Sequence, residues 1–155
     1  DEGKEGAKVL MGRCPETAVI WSGSDEMSLG AIRSLKEQGI QPGIDVLVGG
    51  IDGTLKGLNS VTSGEMVATI SGHFIEGAWA TVLLYDHHHG VDFSDDTGLV
   101  MHTSMQAIQA NNIKRCLDLL STEYIDQIDF KTFSKIANPK LECYDFILPD
   151  LFISN

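Results

Sequence analysis

Three short stretches carry the side chains best suited to chemistry: "SGSDE" at 22–26, "GGIDGT" at 49–54 and "SGHF" at 71–74. Each follows an apolar run. Ser24, Asp25, Asp52, Thr54, Ser71 and His73 offer hydroxyls, carboxylates and an imidazole. Such groups can hold a hydroxylated solute by hydrogen bonds or, in another geometry, move protons. Taken singly, Ser24, Asp25 and Thr54 are most simply read as helix-capping residues. Asp25 and Asp52 could serve as a hydrolase's carboxylate pair, but nothing in the spacing fixes their separation.

Other motifs carry less. "GGIDGT" resembles the Asp-x-Asp-Gly-Thr nucleophile motif of haloacid dehalogenase-type phosphatases, but Gly50 stands where the phosphoryl-accepting carboxylate is needed. Without a nucleophile that chemistry has no starting point. A phospho-accepting Asp25 would need a further acidic pair and a later lysine, and neither can be placed. In "DHHHG" at 86–90 the three histidines are adjacent, and neighbours on a helix point about 100° apart, so they cannot all reach one ion. They read as a solvated helix terminus complementing the negative pole of the helix, and "SDD" at 94–96 as a polar loop. No Gly-x-Ser-x-Gly, phosphate-binding loop or Cys-x-x-Cys occurs. The case for catalysis is therefore thin, and the expectation is a protein that is not an enzyme, with no metal and no cofactor.

Composition narrows the partners. Eleven Lys and Arg against 22 Asp and Glu give a formal charge of −11, which repels nucleic acid and anionic lipid surfaces. At 155 residues and 43% hydrophobic content the chain can bury a core. No apolar run reaches the roughly 20 residues that span a bilayer. The opening "DEGKEGAKVLMGRC" lacks the pattern of a signal peptide and reads as the middle of a longer chain. Cys14, Cys116 and Cys143 are too scattered for a disulfide framework or zinc motif, and are expected as small buried apolar residues.

The elements that must position the three loops follow from periodicity. Residues 2–13 form a helix ended by Pro15, and 18–21 a short buried strand. Ser24 caps a helix whose Met27, Ala31, Ile32 and Leu35 share one stripe and which Gly39 closes. A strand at 46–48, a helix at 55–62 between Thr54 and Gly64, and a strand at 66–70 follow. An apolar helix at 75–85 then carries Ile75, Ala78, Trp79, Val82 and Leu83 on one face. Strict alternation of strand and helix implies an α/β fold, a three-layer arrangement with a parallel sheet. In such a sheet ligands bind beyond the carboxyl ends of the strands, where all three loops lie. After Asp92 the rhythm breaks: "DFSDDTG" is a loop, 99–105 a possible strand, 111–120 a helix, "DQIDFKTFSK" another turn or two of helix, and 138–155 irregular.

As a set, "SDEMSLGA", "PGIDV", "GGIDGT" and "TSGEMVATI" resemble the C-terminal half of type 1 periplasmic sugar-binding proteins of ABC transporters, a fold shared with LacI-type effector domains. The correspondence covers about residues 1–92. It implies the C-terminal portion of a two-lobe periplasmic-binding-protein-like fold, with 1–72 in the C-terminal lobe, 73–98 crossing to the N-terminal lobe, and 99–155 as return strand, helices and tail. By the same resemblance Ser24 takes the place of an asparagine that contacts sugar hydroxyls. Asp25 takes that of an aspartate that orders the loop, and Asp52 that of one that accepts from sugar hydroxyls. Gly72 falls at a second contact position, where neighbouring His73 can substitute.

The function so implied is capture of a small polar solute, a sugar or sugar-like compound, in the periplasm for an ABC importer permease or membrane sensor. The effector domain of a LacI-type regulator is the alternative. Most of the other lobe would lie upstream of Asp1, leaving the Trp79 face of the helix at 75–85 without a partner. That face is therefore expected to find cover by self-association with another copy, or in an unseen part of the protein.

Overall fold

The computed structural model describes residues 1–103, 105–119 and 127–146. The chain forms two compact units: Asp1–Gly72 with Met105–Leu117, and His73–Ser104 with Asp118–Asn155.

The first unit is α/β. Its helices are α1 (Glu2–Arg13), α2 (Asp25–Glu37), α3 (Leu55–Thr62) and α6 (Ile113–Leu119, which runs two residues into the second unit); its strands are β1 (Val19–Trp21), β2 (Leu47–Ile51), β3 (Ala68–Ser71) and β4 (Gln106–Ile108). The sheet order is β1-β2-β3-β4; the first three strands are parallel and β4 joins β3 antiparallel. Local chemistry sets the helix ends. The Ser24 hydroxyl accepts from Met27 N and starts α2, the Thr54 hydroxyl accepts from Gly57 N and starts α3, and Gly39 follows α2 in the left-handed conformation, φ 75°. Beneath α2 and α3, Ala31, Ile32, Leu35, Val48, Leu58, Val61 and Met66 make the core, each at most 3% exposed. α1 adds Ala7 and Met11.

Several expectations shift. β1 is half-buried: Ile20 faces the core, while Val19 and Trp21 on the other face are 57% and 53% exposed. A parallel strand is buried on both faces only where both are covered, and within this unit Val19, Trp21 and Leu47 (40% exposed) remain open. Among the described residues of the run 99–105 no strand forms; Leu99 and Val100 are 91% and 69% exposed. Pairing begins at Gln106, where Ile108 can bury against β3. Cys14 and Cys143 are exposed and Cys116 is half-buried, so the cysteines are not core residues; Cys14, for one, sits at the C-cap of α1.

In the second unit a 3₁₀ turn at His73–Ile75 leads into α4 (Glu76–His88), longer than its apolar stripe suggests. The "SDD" loop contains one helical turn, α5 (Ser94–Thr97), because Asp92 accepts from Ser94 N and Thr97 donates to the Phe93 carbonyl. "DQIDFKTFSK" yields a 3₁₀ turn at Phe130–Phe133, started by the Asp129 carboxylate accepting from Lys131 N. Residues 138–146 are irregular. The rest of the expected tail and of the segment before Gln127, and the end of the helix expected at 111–120, lie outside the described residues.

The Trp79 face corrects the expectation of an uncovered helix. Trp79 is 3% exposed and packs against Phe130, Phe133 and Phe146, with Ile128 beside them. The ring centroids lie 5.7, 4.8 and 4.9 Å away. The chain's own downstream aromatics provide the cover, and self-association is not needed to shield this face. Behind it Asp86, 0% exposed, accepts hydrogen bonds from the Ser134 hydroxyl (2.5 Å), Lys135 N (2.6 Å) and the Tyr144 hydroxyl (2.8 Å). His87, His88 and His89 sit exposed at the end of α4, at the solvated terminus expected of them.

Candidate functional site

At the carboxyl ends of β1, β2 and β3 the loops of the first unit meet around one buried carboxylate. Asp25, the first residue of α2, is 0% exposed. Its Oδ1 accepts from the Thr69 hydroxyl at 2.6 Å; its Oδ2 accepts from Thr54 N at 2.7 Å and from the Thr54 hydroxyl at 2.9 Å. Three donors and the N-terminal ends of α2 and α3 therefore meet this charge, and helix N-termini carry partial positive charge. The packing leaves no room for larger neighbours. A Cβ at Gly50 would lie 2.7 Å from Asp25 Oδ1 and from Ser28 Oγ, and one at Gly57 would overlap the carboxylate. Gly50, the missing nucleophile of the phosphatase motif, is thus the floor of the Asp25 site.

Asp52 sits just beyond β2, half-buried, with φ 124°, the one described non-glycine residue in the left-handed half of the map. Such backbone costs roughly 1–3 kcal/mol and persists where the surroundings over-determine it. Here they do. Asp52 N donates to the Ile70 carbonyl (2.9 Å) and the Ser71 hydroxyl donates to the Asp52 carbonyl (3.1 Å). Next along the chain, Gly53 N donates to Thr69 Oγ1 (3.1 Å) and Thr54 is tied to Asp25. A Cβ at Gly53 would collide with Ser71.

The remaining expected residues divide. Ser24 is half-buried; its hydroxyl caps α2, and its carbonyl accepts from Ser28 N and from the Ser28 hydroxyl. Asp25, Asp52, Thr54 and Ser71 are brought into one hydrogen-bonded cluster. His73, half-buried, opens the 3₁₀ turn of the second unit. Thr69 was not singled out by sequence reasoning; a hydroxyl inside the apolar run "VATIS" was the available signal. Asp86 was also missed, although it continues the Trp79, Val82, Leu83 stripe at helical spacing. An open groove bounded by Lys36, Ile40, Pro42, Ile44 and Glu65 lies at the opposite, N-terminal edge of β2 and contains none of these groups.

Among the described residues no group of three or more His, Cys, Asp or Glu side chains could hold a metal ion, and no helix is long and apolar enough to cross a membrane. The cluster has the makings of a hydrogen-bonding platform: a buried carboxylate that fixes two loops, and a second carboxylate held at the strand edge.

No protein-family model matches the sequence. The chain is 40% identical over 57 residues to the ribose import binding protein RbsB of Escherichia coli K12, a match spanning 37% of this chain and 18% of that protein. It is 36% identical over 52 residues to the galactofuranose-binding protein YtfQ of the same strain, spanning 34% of this chain and 16% of that protein. A crystal structure of a periplasmic sugar-binding protein from Pseudomonas fluorescens superposes with a TM-score of 0.80 at 30% identity, covering 93% of this chain and 44% of that one. The chain thus spans less than half of the length of the proteins it matches. It is similar to the sugar-binding proteins of ABC transporters and has their type 1 fold, an α/β architecture with a mainly parallel sheet.

Proposed function

We propose that the chain is part of a periplasmic solute-binding protein and holds a sugar or sugar-like compound for delivery to an ABC importer or a membrane sensor. Asp52 is the principal ligand contact in this reading, with Ser24 and His73 as further contacts. Asp25 orders the site from behind, since its carboxylate is buried and its oxygens accept from the protein's own donors. In this reading 1–72 belong to the C-terminal lobe, 73–98 cross to the N-terminal lobe, and the return strand is β4, Gln106–Ile108.

One observation carries the proposal: Asp52 stands at the carboxyl edge of the sheet in a strained backbone conformation, φ 124°, braced on both sides. A carboxylate is acceptor-only and can take hydrogen bonds from two adjacent hydroxyls of a polyol. A site held before the ligand arrives does not lose the ordering entropy on binding. The relatives support the ligand class, being a ribose import binding protein, a galactofuranose-binding protein and a periplasmic sugar-binding protein. The formal charge of −11 suits an uncharged solute better than an anionic one. Nothing in this arrangement requires a bond to be made or broken.

A thermal-shift screen of the chain against pentoses, hexoses and inositols tests the reading. A rise in melting temperature with one of these sugars, absent in Asp52→Ala, is expected. A rise only with amino acids or phosphate esters would contradict it.

A further inference from the structure

We infer that Thr69 is a positioning residue for ligand binding: its hydroxyl is the relay through which the buried Asp25 carboxylate holds the Asp52 loop in its strained, ligand-presenting conformation. The inference rests on the reading of Asp52 as ligand contact and adds to it a residue that touches no ligand.

Thr69 lies in the middle of β3, 0% exposed, on the sheet face that meets α2. Its oxygen does two things at once. It donates to Asp25 Oδ1 at 2.6 Å and accepts from Gly53 N at 3.1 Å. The donated bond is charge-assisted, and a hydroxyl that gives its proton to a carboxylate becomes a better acceptor for a third group. Gly53 follows Asp52 directly, so the bond to its N–H fixes the peptide plane between the two residues. Thr54, next again, is held by the other Asp25 oxygen. One carboxylate thus reaches both residues after Asp52, one of them through Thr69.

Ser71 and Ile70 restrain Asp52 from the other side. A conformation as unfavourable as φ 124° for an aspartate is kept only while such restraints act together. Removing the Thr69 hydroxyl leaves Gly53 N–H without its acceptor and lets the Asp52–Gly53 turn relax to ordinary backbone. Apparent affinity then falls in proportion to the fraction of molecules still holding the competent loop. The β-branched side chain also restricts χ1, which keeps the hydroxyl on the Asp25 side of the strand.

The test combines amide exchange with D-ribose titration on four variants of the chain: Thr69→Val, Thr69→Ser, Asp52→Asn, and Thr69→Val with Asp52→Asn. Thr69→Val should raise the exchange rate of Gly53 N–H about tenfold or more while Ile32 to Leu35 in α2 stay protected. The same change should weaken D-ribose binding about tenfold. Thr69→Ser should restore both. In the Asp52→Asn background Thr69→Val should add less than about a twofold loss, because the two act through one contact. Unchanged Gly53 protection in Thr69→Val, or the same loss of affinity with and without Asp52, would overturn the inference. An Asp52→Asn variant that binds D-ribose as well as the original chain would instead overturn the site reading. Absence of D-ribose binding by the chain would reject that sugar as its ligand, and the exchange measurement would then decide the role of Thr69 by itself.

Discussion

The hydroxyl of Tyr144 donates to Oδ2 of Asp86 across 2.8 Å, joining the downstream segment of the second unit to the buried side of α4. The same carboxylate takes the Ser134 hydroxyl and Lys135 N, so one side chain organises residues about 50 positions away. Lys135 adds an ion pair to Asp96 at 3.0 Å and lies 4.9 Å over the Tyr144 ring.

Removing that phenol hydroxyl should be felt. Tyr144→Phe keeps the ring and deletes one hydrogen bond to a charged acceptor, a loss of about 1.5–3 kcal/mol. Asp86→Ala orphans the buried Ser134 hydroxyl and further donors and should lose more. Urea titration followed by near-ultraviolet circular dichroism measures both, and equal midpoints for the two variants would show that Asp86 is not the hub.

The pH dependence follows from the same group. Burial pushes the Asp86 carboxyl up, but the Ser134 hydroxyl, the Tyr144 hydroxyl and the N–H groups of Lys135 and Ile136 outweigh it and hold it below its ordinary value. A carboxyl lowered in the folded state contributes stability that is complete above its unfolded value, about 3.9. That stability is lost as the pH falls through the folded value. Burial, with the Asp86 and Asp96 charges, raises the Tyr144 phenol; its contribution is complete below about pH 10 and is lost on further alkalinisation. Melting temperature against pH should therefore fall below about pH 4, and Asp86→Asn should flatten the acid limb. An unchanged acid limb in Asp86→Asn would contradict this assignment.

The two tryptophans should report separately. Trp21 is 53% and Trp79 3% exposed, so acrylamide should quench one accessible and one protected population. Trp79→Phe should delete the protected one, and Phe146→Ala should expose it, at a loss below the about 3–5 kcal/mol of a fully buried Phe because Phe146 is only half-buried. Uniform quenching of the original chain would mean that Phe130, Phe133 and Phe146 do not cover the indole.

Strain at Asp52 predicts a trade of stability against binding. Glycine accepts φ 124° freely, so Asp52→Gly should stabilise the chain by about 1 kcal/mol or more while weakening sugar binding. Asp52→Ala keeps the strain and should weaken binding without that gain. Denaturation midpoints of the two variants decide it; equal midpoints would show that the backbone there is not strained.

What could be read from the sequence was what short-range chemistry determines. Ser24 and Thr54 cap α2 and α3 because a hydroxyl three residues before an amide can accept from it, and α3 falls on Leu55–Thr62 as the spacing indicates. The alternation of strand and helix was enough for the α/β class. What escaped depends on distant partners. β4 begins at Gln106 and not Leu99, since an edge strand forms only where β3 offers a register. The cover over Trp79 comes from residues about 50 to 70 positions downstream, a distance no local periodicity records. Asp25 reads in "SGSDE" as a residue that caps a helix and orders its loop, but the closed cradle that Gly50 and Gly57 make for it, and its bond from Thr69 inside an apolar strand, are not written locally. Both are polar groups whose partners come from other strands and loops.

The central claim, that the edge bearing Asp52 holds a sugar, is tested most directly by calorimetric titration of the chain and its Asp52→Ala variant with D-ribose, L-arabinose, D-allose and myo-inositol. Saturable binding of at least one of these, weakened about tenfold or more in Asp52→Ala, is the predicted result, the loss expected when a charged hydrogen-bonding partner is removed. No heat of binding with any of the four, or binding undiminished by Asp52→Ala, would contradict it.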